Sequence, residues 1–228
     1  IEKNKLNINI TSFQETHIFT ETDDAKKILL QGVKDKKYAE SQIDNLISIF
    51  EDAKFYGSII EANDIDLDFW HERLDFINSE IGNMIDYDYS VLMKLKKFLP
   101  RIVKQTEILS RKYHVVVTNP PYMGLSNIDE ELSNFIKKEF ISKTDLYAVF
   151  LERCMKYALK NGFIAMVTQQ SWMFLSSFEK LRETILKNNT ILLLSQLGPR
   201  AFEEIGGEVV QTTAFVLLNS FIESFGGA

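Results

Sequence analysis

The sequence has very little cysteine: Cys154 is the only one among 228 residues. A single thiol excludes a disulfide within the chain, and such sparing use of cysteine is typical of the reducing cytoplasm, which is the expected location. Cys154 lies in a helical pattern, so we expect its thiol to be buried and inert. The three histidines are scattered along the chain. With no cysteine pair to accompany them, they argue against a zinc site.

Long apolar runs are also missing from the sequence. None approaches the roughly 20 residues that a membrane helix needs, and no signal-peptide pattern occurs, so no membrane partner is expected. The chain begins with Ile1 and not with methionine, and we expect it to be a piece of a longer protein. Its formal net charge of −6 excludes a basic clamp for nucleic acid built from the chain as a whole.

The first half of the chain is predicted to be mainly helical after an opening strand. Apolar and polar residues alternate in Leu6–Gln14, which predicts a strand within residues 1–20. Residues 21–112 then form a helical region, with amphipathic patterns over residues 37–53, 66–81 and 89–112. The last pattern is rich in lysine and arginine. A solvated helix face is the simpler interpretation of that charge, and contact with phosphates is the alternative.

Residues 113–228 have the rhythm of an α/β fold. Helical patterns at 129–140, 145–160 and 178–187 separate apolar runs, and Asn161-Gly162 is predicted to close the second helix. This alternation predicts a parallel sheet with helical crossovers. The last two strands lack a helix between them, so they are free to pair antiparallel. The predicted strands are His114–Thr118, Phe163–Thr168, Thr190–Leu197 and Thr212–Asn219. The first of them is continuously apolar, as in strands buried on both faces.

The stretch that follows the first of these strands carries the chemistry. The strand ends on Asn119-Pro120-Pro121-Tyr122, and ligands of open α/β sheets bind at the carboxyl ends of strands. Asn119 offers a carbonyl acceptor on a short arm, while Pro120 and Pro121 fix the backbone and leave its carbonyls free to face a pocket. Tyr122 supplies a flat face for stacking. Two rigid acceptors beside an aromatic ring suit a planar group that bears an amine, such as a nucleobase.

Two other interpretations of these four residues stay open on chemistry alone. The first is a Pro-Pro turn after a core strand, with Tyr122 as a packing residue. The second is a polyproline ligand for another protein, although the apolar strand before the prolines argues for burial.

The wider sequence resembles a known family. The Asn-Pro-Pro-Tyr stretch after an apolar strand is similar to the signature of amino-group DNA methyltransferases that use S-adenosylmethionine. Three later segments, Lys143–Phe174, Ser176–Leu186 and Leu197–Leu218, resemble the elements that follow this signature in adenine-N6 enzymes. With Asp52–Ile60 upstream, the sequence looks closest to the PglX-type adenine methyltransferases of bacteriophage-exclusion (BREX) systems.

The resemblance implies a fold, a reaction and roles for individual residues. The implied fold is α/β, a partial Rossmann-like S-adenosylmethionine-dependent methyltransferase sheet with an additional helical N-terminal region. The implied partners are double-stranded DNA with a flipped adenine and other defence-system proteins. The side chain of Asn119 and the carbonyl of Pro120 would bind the adenine N6 amine, and Tyr122 would stack on the flipped base. Phe202 occupies the place of the second stacking residue.

The resemblance is incomplete on the cofactor side. The Gly-rich loop that precedes the signature in this family has no counterpart here, because Gly32, Gly57 and Gly82 stand alone before Asn119. The family's strand order is 3-2-1-4-5-7-6, and strands one and two have no counterpart either. Leu6–Gln14 would be the third strand, which places Gln14 or Glu15 beside the adenine of S-adenosylmethionine. A solvated strand end is the plainer alternative for both residues.

Two functions follow as hypotheses from this pattern. The first is the catalytic half of a site-specific DNA adenine-N6 methyltransferase whose cofactor site is incomplete within this chain, acting in phage defence or restriction-modification. The second is a non-catalytic module that binds DNA or protein and retains the fold. Three further residues are ambiguous: Trp172 and Phe174 would line the pocket or pack in the core, and Asp145 would serve the pocket or cap a helix.

Overall fold

The structure, a computed structural model, describes residues 8–17, 23–79, 86–198 and 211–223. It divides into two compact units, Ile1–Arg111 and Lys112–Ala228. Within the described residues the first unit is helical and the second combines helices with a sheet. The α/β class expected from the sequence is therefore confirmed. No helix in the described ranges is long and apolar enough to cross a membrane.

Within the described residues, the three longest helices of the first unit lie close to the predicted patterns, and two short helices lie outside them. The helices are α1 (Asp24–Leu29), α2 (Lys36–Phe50), α3 (Ala53–Tyr56), α4 (Leu67–Ser79) and α5 (Asp86–Ser110). Their apolar stripes meet in a core that includes Leu46, Trp70 and Leu99, all almost fully buried. Pro100 lies inside α5 on its exposed side, where its missing N–H removes one intrahelical hydrogen bond.

The predicted opening strand is wrong for the residues that the structure describes. Residues 8–14 form no strand, although their apolar and polar residues alternate. At the end of this segment, the side chain of Gln105 binds the backbone of Gln14, and the end of α2 binds the backbone of Thr16. The Gln14 N–H donates to Oε1 of Gln105 at 2.8 Å, Nε2 of Gln105 donates to the Gln14 carbonyl at 2.9 Å, and the Thr16 N–H donates to the Phe50 carbonyl at 3.1 Å. Alternation predicts a half-buried segment, and it cannot specify which groups will bind the backbone.

The second unit contains a four-stranded mixed sheet. Its strands are β1 (Tyr113–Thr118), β2 (Ala158–Gln169), β3 (Thr190–Gly198) and β4 (Thr212–Leu218), arranged in the order β1-β2-β4-β3. β1 and β2 are parallel, while β4 is antiparallel to both β2 and β3. This arrangement confirms the order 4-5-7-6 implied by the resemblance and the antiparallel pairing of the last two strands.

The helices of the second unit are α6 (Glu130–Glu139), α7 (Leu146–Tyr157) and α8 (Glu179–Asn188). α7 and α8 pack on one face of the sheet. The core lies between the sheet and the helices and contains Ile164 and Phe215 from the strands, Leu151 from α7 and Ile185 from α8. Alternate residues of β2 and β4 point toward this core, which fixes the register of these two strands.

Two expectations about the strands of the second unit are wrong. The first is that β1 is buried on both faces, because Val115 and Val117 are 55% and 72% exposed. These two side chains point to the face opposite the core, and β1 lies at the sheet edge among the described strands. The second is that Asn161-Gly162 closes a helix. α7 ends at Tyr157, and both residues lie in β2.

An irregularity in β2 explains the misassigned helix end. The pairing jumps from Tyr113–Ala158 to Val115–Phe163, so β2 carries extra residues opposite β1. Asn161 has a φ of 63°, a left-handed conformation that asparagine tolerates well. A Cβ on Gly162 would lie 2.9–3.1 Å from three backbone carbonyl oxygens, so this position requires glycine. An Asn-Gly pair serves such a bulge as well as it serves a helix end.

Candidate functional site

The candidate site lies at the carboxyl end of β1, where two prolines without an N–H group follow Asn119. Thr118 pairs with Met166, so continuing the register would place Asn119 beside Val167 and Pro120 beside Thr168. Two consecutive prolines have no N–H to continue that ladder, and the strand ends at Thr118. Asn119 and Pro121 are exposed, whereas Pro120 is buried and Tyr122 is half-buried. The amide of Asn119 is thus presented at the carboxyl end of a parallel strand.

The hydroxyl of Tyr122 connects Asn119 to the neighbouring strand. Tyr122 Oη lies 3.0 Å from Asn119 Oδ1 and 3.0 Å from the carbonyl oxygen of Val167 on β2. Burial raises the pKa of Tyr122 above its ordinary value, so the hydroxyl keeps its proton at neutral pH. Val167 was not foreseen from the sequence, since a contact across 45 residues leaves no local signal.

A second tyrosine fixes the ring of Tyr122. The ring of Tyr147, from the first turn of α7, meets the Tyr122 ring edge-on with centroids 6.3 Å apart. Tyr147 is fully buried, packs on Phe178, and lies 2.8 Å from Oγ of Ser171 through its hydroxyl. Burial raises its pKa strongly, so it remains a neutral hydrogen-bonding group. The Tyr122 ring therefore has a fixed orientation in the absence of any substrate.

Asp145 ties the loop after Tyr122 to α7. Its Oδ1 accepts a hydrogen bond from the Tyr147 N–H at 3.1 Å, which confirms the helix-capping interpretation. The same oxygen accepts from the Met123 N–H at 3.2 Å, and the Leu146 N–H donates to the Met123 carbonyl at 2.9 Å. Burial raises the pKa of Asp145 more than these backbone hydrogen bonds lower it.

Glu152 performs a similar task for the loop between α6 and α7. Its two carboxylate oxygens accept hydrogen bonds from the backbone N–H groups of Ile141, at 2.9 Å, and Ser142, at 2.5 Å. Glu152 is 6% exposed. A buried carboxylate requires such donors, because an unbonded one would carry a large desolvation cost. Sequence reasoning missed this residue, since a glutamate in the middle of an amphipathic helix carries no distinguishing pattern.

The two residues expected to border the cofactor have partners within the first unit. Glu15 lies 3.2 Å from Nζ of Lys54 and 3.7 Å from Nδ1 of His17. The backbone of Gln14 is bound by Gln105, and its side chain donates to the Phe13 carbonyl at 3.1 Å. Their assignment to S-adenosylmethionine remains a prediction from the sequence.

The aromatic residues of the sequence analysis have different outcomes. Trp172 is 3% exposed and packs edge-on against Phe215, so it belongs to the core. Phe174 is 63% exposed. Phe202, the expected second face of the base slot, lies outside the described residues.

The basic helix has part of its charge paired within the first unit. Glu107 on α5 accepts a hydrogen bond from Lys104 at 2.9 Å and lies 3.0 Å from Nε2 of His71 and 3.9 Å from Arg111. The hydrogen bond from Lys104, followed by that from His71, holds the pKa of Glu107 below its ordinary value. This network fits a solvated helix face, and phosphate contact by the helix remains an untested alternative.

Comparison with known proteins places the chain in a family. The model of the Eco57I restriction-modification methylase family matches residues 1–202. The chain is 40% identical over 178 residues to an adenine-specific methyltransferase, BrxX, of Escherichia coli O9:H4 strain HS, covering 76% of this chain and 14% of BrxX. It is 37% identical over 200 residues to an adenine-specific methyltransferase, PglX, of Lacticaseibacillus casei strain Zhang, covering 86% of this chain and 16% of PglX.

The matches cover only a small part of each curated relative. The chain spans about one seventh of the length of the curated relatives that it matches. A solved structure, the M protein of the type I restriction enzyme EcoKI, shares 12% identity over 87% of this chain and 54% of its own, with a TM-score of 0.41. That likeness is distant, so the assignment rests on the sequence matches. The chain belongs to the Eco57I restriction-modification methylase family.

Proposed function

We propose that the whole protein is a site-specific DNA methyltransferase that modifies adenine at N6, and that it acts in phage defence or restriction-modification. The observation that carries this proposal is the exposed Asn119 at the end of β1, in a chain whose relatives BrxX and PglX are both adenine-specific methyltransferases. The alternative of a non-catalytic DNA- or protein-binding module is not favoured by these relatives.

The proposed role of the Asn-Pro-Pro-Tyr residues is to hold an amine. The side-chain oxygen of Asn119 and the backbone carbonyl of Pro120 each accept one N6 hydrogen, which turns the nitrogen lone pair away from both acceptors. Both acceptors also stabilise the positive charge that develops on N6 as the new bond forms. The reaction would be a direct displacement: the N6 lone pair forms a bond to the methyl carbon as the bond from that carbon to the sulfonium sulfur breaks, the sulfur leaves as the neutral thioether of S-adenosylhomocysteine, and N6 loses one proton to solvent.

S-adenosylmethionine is the proposed donor, supplying an electrophilic methyl carbon on a sulfonium. Asn119 is a proposed cofactor-bordering residue as well, because the amine that it would hold must face the methyl group. Gln14 and Glu15 are the proposed residues near the cofactor adenine. We assign the rest of the cofactor site to the whole protein, because the sequence of this chain contains no Gly-rich loop of the family type.

The proposed substrate is double-stranded DNA with the target adenine rotated out of the helix. A stacked and paired adenine does not expose N6 to an attacking geometry, so extrusion precedes transfer. The ring of Tyr122, held in place by Tyr147, is the proposed stacking surface, and Phe202 is the proposed second surface. Other proteins of the same defence system are the proposed partners.

The test is a map of methylated adenines. The full-length protein is expressed in a host without adenine methylation, alone and together with the proteins encoded beside it, and the genome is sequenced by a method that detects N6-methyladenine. We expect one recognition sequence to be modified at nearly every occurrence in at least one of the two strains. Absence of N6-methyladenine in both, with folded protein present, would refute the proposal.

A further inference from the structure

The hydroxyl of Tyr122 faces more acceptors than it can serve. It has one hydrogen, and both Asn119 Oδ1 and the Val167 carbonyl oxygen lie 3.0 Å from it. One of these two oxygen–oxygen contacts therefore lacks a hydrogen. At the same time, Nδ2 of Asn119 has no hydrogen-bond partner among the described residues. The Asn119 amide thus has a donor, Nδ2, without a partner in that part of the chain, and an acceptor, Oδ1, that competes with the Val167 carbonyl oxygen for a single hydrogen.

A half-turn of the Asn119 amide removes this conflict. The two ends of the amide have nearly the same shape, so the rotation exchanges Oδ1 and Nδ2 with little movement of other atoms. Nδ2 then donates to the Tyr122 oxygen, and the Tyr122 hydroxyl donates to the Val167 carbonyl. Each contact contains one hydrogen, and Oδ1 turns to the exposed side.

The surroundings of Tyr122 hold the hydroxyl in the position that this chain requires. Pro120 and Pro121 supply no N–H to β2 beyond the end of β1, so the Tyr122 hydroxyl acts as a donor to β2 in their place. Tyr147 packs edge-on against the ring and prevents it from swinging away. The hydroxyl carries its proton at neutral pH, since the ordinary pKa of a tyrosine is about 10 and partial burial raises the pKa of Tyr122 further.

We propose that Tyr122 is a positioning residue whose hydroxyl orients the Asn119 amide, so that Oδ1 and not Nδ2 faces the incoming amine. The proposal deepens the proposed function and rests on it. An amine meets an acceptor in this orientation, whereas the reverse orientation would present it with a second N–H donor. The hydroxyl thereby selects a base that carries an amine, independently of the stacking by the ring.

The first experiment removes the hydroxyl and keeps the ring. In full-length protein with confirmed methylation activity, Tyr122→Phe is expected to lower kcat roughly tenfold, the worth of about one hydrogen bond, with little change in KM for S-adenosylmethionine. Tyr38→Phe is the matched control. It deletes a hydroxyl that donates to Asp66 at 2.6 Å in the first unit, and it should leave kcat unchanged.

The second experiment separates orientation from a structural role of the hydroxyl. A carboxylate presents an acceptor whichever way it turns, so Tyr122→Phe should cost much less in an Asn119→Asp background than in the wild type. An equal loss in both backgrounds would show that the hydroxyl acts only through Val167 and would overturn the proposal. A Tyr122→Phe variant with a kcat within about twofold of wild type would also overturn it.

A binding measurement covers the case in which Asn119→Asp has no activity. Duplexes with adenine or with purine, which lacks the N6 amine, at the target position are compared for affinity. Wild type should prefer adenine, and Tyr122→Phe should lose most of that preference while binding the purine duplex normally. An unchanged preference would refute the proposal. Failure of wild type to methylate any DNA would instead refute the proposed function beneath it.

Discussion

At the scale of single residues, Asn119 has the most direct proposed role. It is exposed, it stands at the end of a parallel strand, and only the Tyr122 hydroxyl contacts its side chain through a hydrogen bond in the described structure. Asn119→Ala in the full-length protein is expected to abolish methylation, because the amine loses its side-chain acceptor. Transfer of tritiated methyl groups to DNA measures this effect.

The same variant should retain its fold and its affinity for the cofactor. An exposed asparagine buries little surface, so its removal is expected to change the free energy of unfolding by less than about 0.5 kcal/mol. Thermal melting and titration with S-adenosylmethionine serve as the controls. Near-normal turnover in Asn119→Ala would exclude the proposed role of the residue.

Phe202 carries a prediction that comes from the sequence resemblance. If it forms the second face of the base slot, Phe202→Ala removes one stacking contact, worth about 1–3 kcal/mol per base. Methyl transfer should then fall by roughly one to two orders of magnitude. An experimental structure of the DNA complex with the Phe202 ring far from Asn119 would contradict the assignment.

Cys154 is expected to be chemically silent in the folded protein. It is 4% exposed in the core of the second unit, and burial raises its pKa to about 12. Because the thiolate is the reactive form, iodoacetamide at pH 8 should label the native chain far more slowly than the chain in urea. Equal labelling rates would show that this core opens readily.

The role of a residue could be predicted from the sequence where it depends on neighbouring residues, and could not where it depends on contacts between distant parts of the chain. From the Asn-Pro-Pro-Tyr residues alone, one can predict hydrogen-bond acceptors, a rigid backbone and an aromatic ring at four adjacent positions. These four residues do not predict the contacts with Val167, Tyr147 and Ser171, which the fold brings to the site from distant positions in the sequence. The role of the Tyr122 hydroxyl depends on these contacts, so it could be inferred only from the structure.

At the scale of elements, Asp145 connects a helix cap to the candidate active site. Asp145→Ala removes the acceptor for both the Tyr147 and the Met123 N–H groups, and should destabilise the protein by about 1–2 kcal/mol. Asp145→Asn keeps a side-chain oxygen in the same place and should cost much less. Chemical denaturation of the two variants at one pH measures the difference.

The pH dependence of stability provides a second measurement on the same pair. Because burial raises the folded-state pKa of Asp145 above its ordinary 3.8, the folded state binds more protons than the unfolded state between the two pKa values. Stability should therefore fall as the pH rises from 3.8 through the raised pKa in wild type. Asp145→Asn should lose this component of the pH dependence. An identical profile in both proteins would show that the carboxyl is not significantly desolvated.

Element boundaries could be predicted from caps and periodicity, with two instructive failures. Asp145 caps the start of α7 as expected, since an aspartate just before an amphipathic segment most often caps the N-terminus of a helix. Asn161-Gly162 was misassigned because the same pair suits a helix end and a strand bulge, and only the pairing with β1 distinguishes them. Residues 8–14 alternate like a strand but form none, and the backbone of Gln14 is bound by the side chain of Gln105, a tertiary contact that the local pattern does not contain.

At the scale of the whole molecule, the sheet of the second unit has an open side. β1 lies at one edge of the described sheet, so its outer N–H and C=O groups have no strand beside them there. Val115, Val117 and Phe163 on β1 and β2, and Leu193 on β3, are all exposed apolar residues of one sheet face. Exposed edges and apolar faces of this kind favour association with other protein surface.

The open side leads to a prediction about the chain taken alone. The resembled family places its Gly-rich loop after strand one, which would adjoin β1, and an acidic residue that binds the cofactor ribose at the end of strand two beyond it. The sequence of this chain contains no such loop. We therefore predict that the 228-residue chain by itself transfers no methyl groups and does not bind S-adenosylmethionine with one-to-one micromolar affinity. Isothermal titration measures this directly, with full-length protein as the positive control. Clear one-to-one micromolar binding by the chain would show that its cofactor site is complete, and the role assigned to additional strands beside β1 would be wrong.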